Sequence, residues 1–205
     1  MTPTVRALSL VAAAAFSFVG CSPVLQPSQA GLEDGRLDPK LAQATWIEEG
    51  TQVVLIVSTR AARYRLKQPF FPVEVAVVNR GLEGITLTRE SFTLADSRGN
   101  RYPMAGREEL REGYGGSTDV DRRNFTEATP IVLGKFQSYS YVGSNFTPGF
   151  DNSIAVDRIA LPRYSYILDF VYFPTPPGFV QGEPLELLLS APELEDPVFV
   201  RFTVQ

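Results

Sequence analysis

Pro72-Val73-Glu74-Val75-Ala76-Val77-Val78, closed by Asn79-Arg80-Gly81, is the stretch that decides the fold class. Its first half alternates, and the two-residue period of a strand then places Val73, Val75 and Val77 on one face. Asn79-Arg80-Gly81 ends the run with turn chemistry. Upstream, Thr51-Gln52-Val53-Val54-Leu55-Ile56-Val57-Ser58 is rich in β-branched residues, and Glu49-Gly50 joins it to Ala44-Thr45-Trp46-Ile47-Glu48 as a hairpin. Downstream, Ile85, Leu87, Phe92 and Leu94 form two short runs around Arg89-Glu90-Ser91, where a bulge or bend restores the inward face. Asp96-Ser97-Arg98-Gly99-Asn100 then turns the chain into Arg101-Tyr102-Pro103.

Three further strand regions complete the pattern. Residues 136–142 alternate aromatics with Ser. Residues 164–173 carry Tyr166, Leu168, Phe170 and Tyr172 on one face, with Asp169 on the other among Ile167, Val171 and Phe173, as in a central strand. Residues 184–189 and 198–204 close the chain as an antiparallel pair. Sixteen Pro and sixteen Gly among many short strands point to a two-sheet sandwich rather than a helical or α/β domain. The expectation is an all-β fold: an antiparallel β-sandwich over residues 37–205 with one or two short helices. One such helix is expected at residues 37–42, with Asp38 as N-cap and Pro39 in the first helical position.

The N-terminus is of another kind. Arg6 precedes an apolar run over residues 7–19, followed by Gly20-Cys21-Ser22, the layout of a secretory signal peptide. The run is too short for a membrane span, which takes roughly 20 apolar residues. With the chain's single cysteine directly after the cut, Phe18-Val19-Gly20-Cys21 resembles the lipobox of bacterial lipoproteins. That resemblance implies a signal peptide over residues 1–20, cleavage before Cys21, diacylation of its thiol, and a cell-envelope address. Ser22 is compatible by the same analogy with sorting to an outer membrane. Two or more acyl chains anchor firmly because each buried methylene contributes about 0.8 kcal/mol. Ordinary secretion remains the competing reading. Residues 21–36 have no hydrophobic period, and Pro23, Pro27, Gly31 and Gly35 break any helix, so they read as a flexible tether spanning about 20–25 Å.

The segment over residues 70–103 resembles the front half of immunoglobulin-like sandwich domains of bacterial envelope lipoproteins: a strand ending in Asn, a short turn, then Phe92, Leu94, Asp96, Gly99 and Tyr102 in the pattern F-x-L-x-D-x-x-G-x-x-Y. The resemblance implies a fold and an address, and no functional residues. The Cys…Trp…Cys spacing of true immunoglobulin domains is absent.

Composition narrows the function. The formal net charge of −4 becomes −5 once Arg6 leaves with the signal peptide, which argues against nucleic acid as a partner. The chain has no His, so a Ser-His-Asp or Cys-His arrangement is impossible and zinc loses its commonest nitrogen ligand. No nucleophile elbow or Gly-rich phosphate loop is present. A carboxylate pair such as Asp157 and Asp169 would suit glycoside hydrolysis, but the sequence does not bring them together. Asp119, Asp121 and Asn124 offer oxygens to Ca²⁺, yet the order of an EF-hand is missing and Arg122-Arg123 adds positive charge. Residues 104–125 therefore read as a solvated surface excursion with one or two helical turns over residues 107–112. The aromatics Tyr139, Tyr141, Phe146, Phe150, Tyr164 and Tyr166 read as core and edge residues, the alternative being a surface for sugars or a protein partner.

The resulting expectation is a lipid-anchored envelope protein, attached at Cys21, whose sandwich is a non-catalytic binding or structural module. It needs no metal or cofactor, and its partners are the membrane and an envelope protein or glycan. The alternative is a carbohydrate-active or carbohydrate-binding protein using residues 139–166.

Overall fold

A computed structural model describes residues 45–147 and 155–205, together with the backbone of Leu32–Glu33 and Arg36–Leu37. Cys21 and all but Leu37 of the expected 37–42 helix lie outside the described residues. In chain order the elements are β1 (Leu32–Glu33), β2 (Arg36–Leu37), β3 (Thr45–Glu49), β4 (Val53–Ser58), α1 (Arg60–Tyr64), β5 (Phe70–Asn79) and β6 (Gly84–Thr88). They continue with a 3₁₀ turn (Arg89–Ser91), β7 (Phe92–Asp96), β8 (Arg101–Pro103), α2 (Arg107–Gly113), α3 (Ser117–Asn124) and α4 (Ala128–Lys135). The last are β9 (Ser140–Tyr141), β10 (Arg158–Pro162), β11 (Ser165–Pro174), β12 (Pro184–Leu189) and β13 (Val198–Thr203).

The fold is the expected all-β sandwich. A five-stranded sheet in the order β3-β4-β5-β11-β9 faces a four-stranded sheet in the order β13-β12-β7-β8, and the ribbon β10-β6 stands beside them. Val73, Val75 and Val77 point inward as their spacing requires. They meet Leu55, Val57, Ile167 and Val171 of their own sheet and Phe92, Leu94, Leu187 and Phe202 of the other in one buried cluster. Trp46 of β3 packs on Phe202 of β13, with ring centroids 5.8 Å apart, and so joins the sheets at one edge. The 3₁₀ turn carries the chain from the ribbon to the second sheet, which is why the inward pattern breaks at Arg89-Glu90-Ser91.

The turn between β7 and β8 explains the Phe92–Tyr102 pattern. Phe92 and Leu94 fill the core, while Asp96 accepts bonds from the Arg98 and Asn100 amides (2.9 and 2.8 Å), the Asn100 side chain (2.8 Å) and the Tyr102 hydroxyl (3.0 Å). Gly99 closes the turn at φ +84°, a conformation glycine adopts without strain.

Three expectations are corrected. The described residues hold four α-helices rather than one or two. Both faces of β4, β5 and β11 are apolar, so the larger sheet needs a cover on its outer side as well. That cover consists of α4, which packs Ala128, Val132 and Phe136 on Val54, Ile56, Ala76 and Val78, and of the α1–α2 region, which packs Ala61, Leu110 and Tyr114 on Phe70, Phe170 and Tyr172. Residues 104–125 are accordingly no excursion: α2 and α3 bury Leu110, Tyr114, Thr118 and Asp121. A Cβ on Gly113 would stand 2.8 Å from the Phe70 ring, so the glycine permits that close approach. Finally, residues 136–142 are mostly not strand. Only Ser140–Tyr141 pair, in parallel with Ser165 and Tyr166 of β11, while Phe136 ends α4.

Candidate functional site

The helices that cover the larger sheet enclose a layer of buried ionisable side chains. Glu74 on β5 is 2 % exposed and accepts bonds from the amides of Glu127 (2.6 Å) and Ala128 (3.0 Å) at the start of α4. Burial pushes its carboxyl up to about 7 against the pull of those amides. Asp121 on α3 is fully buried. It receives the Arg65 guanidinium at 2.9 Å and the Tyr114 hydroxyl at 2.7 Å, with Arg65 also placed 6.0 Å from the centre of the Tyr114 ring. Burial raises the Asp121 carboxyl, and Tyr114 and Arg65 oppose it.

Asp169 on β11 organises the sheet edge. It receives Arg122 at 2.8 Å and the amides of Phe146 (2.9 Å) and Phe170 (2.8 Å); Arg122 also donates to the Thr147 carbonyl at 2.6 Å. β9 pairs only with Ser165 and Tyr166, so beyond Tyr166 side chains and loop amides do the work of a neighbouring strand. Ser144 bonds the Leu168 carbonyl (2.8 Å), and the Ala105 amide bonds that of Tyr172 (2.7 Å). Burial raises Asp169 too, against the opposing Arg122 charge. Glu74, Arg122, Thr126, Thr129, Leu168, Asp169 and Phe170 line a cleft of about 170 Å³ between this layer and the α3–α4 link.

The sequence candidates land as follows. Asp157 and Asp169 are not joined. Asp157 is an exposed partner of Arg107 at 2.6 Å, whereas Asp169 is buried with Arg122. Asp119, Asp121 and Asn124 do not form a cation site, because Asp121 turns inward to Arg65 and Tyr114. Among the described residues no cluster of three or more acids suited to a metal occurs. Phe146 and Tyr166 are core residues, and Phe150 lies outside the described residues.

The remaining tyrosines form a corner where β10 turns into β11. Tyr164 and Tyr141 are more than half exposed, and Tyr139 meets Tyr164 edge to face at 5.5 Å. The Arg163 guanidinium lies 5.7 Å from the Tyr164 ring, and Tyr164 holds φ +58°, the left-handed region that a bulky side chain seldom occupies. A second depression, about 420 Å³, lies on the outer face of the four-stranded sheet between Asp96, Arg101, Glu186 and Arg201.

Sequence reasoning reaches neither Glu74 nor Arg65 as a member of this layer, and it places Arg122 only as a charge beside Asp121, not as the partner of Asp169. The readable signal was an acid inside an otherwise apolar strand, at Val73-Glu74-Val75 and at Leu168-Asp169-Phe170. Such a residue must find donors from another element. Which donors is a matter of tertiary structure.

No family model matches the chain, and no curated protein matches it significantly. Among solved structures it is similar to a DUF4426 family protein from Pseudomonas aeruginosa PAO1, at 9 % identity and a TM-score of 0.31, over 77 % of this chain and 93 % of that one.

Proposed function

We propose that this chain is a lipid-anchored protein of the bacterial cell envelope, sorted to the outer membrane, attached through Cys21 and held off the lipid by residues 21–36. Its sandwich acts as a non-catalytic binding or structural module. The anchor half rests on the apolar run, Gly20 and Cys21. The observation that carries the module half is the use made of the buried acids. Glu74 caps a helix, Asp121 is held by Arg65 and Tyr114, and Asp169 secures a sheet edge, so each of these acids is committed to holding the fold.

Cells supplied with a labelled fatty acid test the anchor. The wild-type protein is expected to carry label and to fractionate with membranes, while Cys21→Ser carries none and is released. A wild-type protein without label overturns the reading. A glycan-binding role is the second reading, favoured by the exposed corner of Tyr139, Tyr141 and Tyr164. Co-sedimentation with purified cell-wall polysaccharide, lost in Tyr141→Ala, would support it.

A further inference from the structure

Glu74 is placed where a charge is costly and a helix depends on it. Strand β5 is buried along its whole length, and Glu74 stands between Ser58 of β4 and Phe170 of β11 in the ladder. The α4 N-terminus lies over it. Glu127, the residue before α4, makes no side-chain cap, so two of the amides that a helix start leaves unpaired are satisfied from the sheet, by Glu74. The rest of the grip of α4 is small. Its eight residues include Pro130 and Gly134, its apolar hold on the sheet is limited to Ala128, Val132 and the partly buried Ile131 with Phe136 just beyond its end, and a helix so short does not persist without its contacts.

The charged groups around Glu74 do not neutralise it. From α4, Glu127 adds like charge, and Glu127 is itself paired with Arg60 of α1. From α3, Arg122 shares the cleft but is bonded to Asp169 of β11 and to the Thr147 carbonyl. Thr126 and Thr129 line the same cleft, the Thr129 backbone amide adds to the pull of the Glu127 and Ala128 amides, and Ser58 is the ladder neighbour on β4. Among the described residues no cation pairs with Glu74.

We propose that α4 is a pH-controlled cover: it lies on the sheet while Glu74 is protonated, and ionisation of Glu74 loosens it and uncovers the apolar face of Val54, Ile56, Ala76 and Val78. The sign follows from linkage. With α4 lifted, water reaches the carboxyl, which titrates at its ordinary 4.5; beneath α4 burial raises it to about 7. The covered form therefore binds the proton more tightly. Its advantage is complete below the ordinary value and is lost as pH rises through about 7. Linkage between those two values makes the opening equilibrium rise about tenfold between pH 6 and pH 8.5. The inference is independent of the lipid anchor.

Hydrogen exchange on the full chain tests it, with rates normalised to the intrinsic chemistry at each pH. The amides of α4 should lose protection by about tenfold between pH 6 and pH 8.5 while the β5–β11 ladder keeps its own, and Glu74→Gln should abolish the pH dependence. The proposal is overturned if α4 protection is flat in the wild type, if it falls equally in Glu74→Gln, or if it falls only together with β5. Should Glu74→Gln fail to fold, the wild-type profile decides alone: loosening of α4 ahead of β5 supports the cover, and a flat profile removes it.

Discussion

Replacing Asp169 by Ala removes the acceptor for three donors at once: Arg122 and the amides of Phe146 and Phe170. Bonds to a charged group contribute about 1.5–3 kcal/mol each, but the buried carboxylate's desolvation offsets much of their sum. Breaking a buried pair costs about 3–5 kcal/mol through the partners left behind. Here the Phe146 amide is left without a partner beside a ring that is itself fully buried, whereas the Arg122 side chain is 27 % exposed and regains water. The expected loss is therefore at the low end, about 3 kcal/mol, or a fall in melting temperature of roughly 6–12 °C for a domain of this size. Urea denaturation followed by Trp46, the single tryptophan, reads the loss directly because its ring bridges the two sheets. Arg122→Ala should also destabilise, and its deficit should shrink as the pH is lowered, since a protonated Asp169 no longer needs the cation. An Asp169→Ala protein within 1 kcal/mol of the wild type would refute the idea that this carboxylate stands in for a missing strand, since that role requires a loss of about 3 kcal/mol.

Two further outcomes follow from the same core. Val75→Asp should cost about 4 kcal/mol or more and yield insoluble protein, because it buries a charge in the inter-sheet cluster directly opposite Asp169 in the ladder; a soluble, cooperatively melting variant would show that this position tolerates water. Asp96, held down to about 2 by Asn100 and its other donors, contributes stability that is present above its ordinary 3.8 and lost as pH falls through 2. With rates normalised to the intrinsic chemistry at each pH, the β7–β8 amides should therefore lose protection on acidification, and Asp96→Ala should show that low protection at every pH.

The sandwich was legible because its cause is local. A period of two along Val73, Val75 and Val77, and again along Leu185, Leu187 and Leu189, leaves one way to bury both sets, face to face across a core. The Asp96 turn was legible for the same reason, since Asp96, Gly99, Asn100 and Tyr102 satisfy one another within seven residues. The helical cover was not legible. α3 has an unremarkable apolar pattern, and α4 contains Pro130 and Gly134, so neither announces itself by propensity or period. Both form because the outer face of β4, β5 and β11 is apolar and must be covered, a demand that exists only once those strands lie side by side. The buried acids divide in the same way. Their place inside apolar strands is written in the chain, and marks Glu74 and Asp169 as residues that need partners. The partners, an α4 amide 54 positions away for one and Arg122, 47 positions away, for the other, are chosen by packing. By itself the sequence determined the layers, their inward faces and the tight turns. Tertiary structure decided what covers the second face of the larger sheet and how its buried charges are held, because both depend on surfaces that no single stretch of chain possesses.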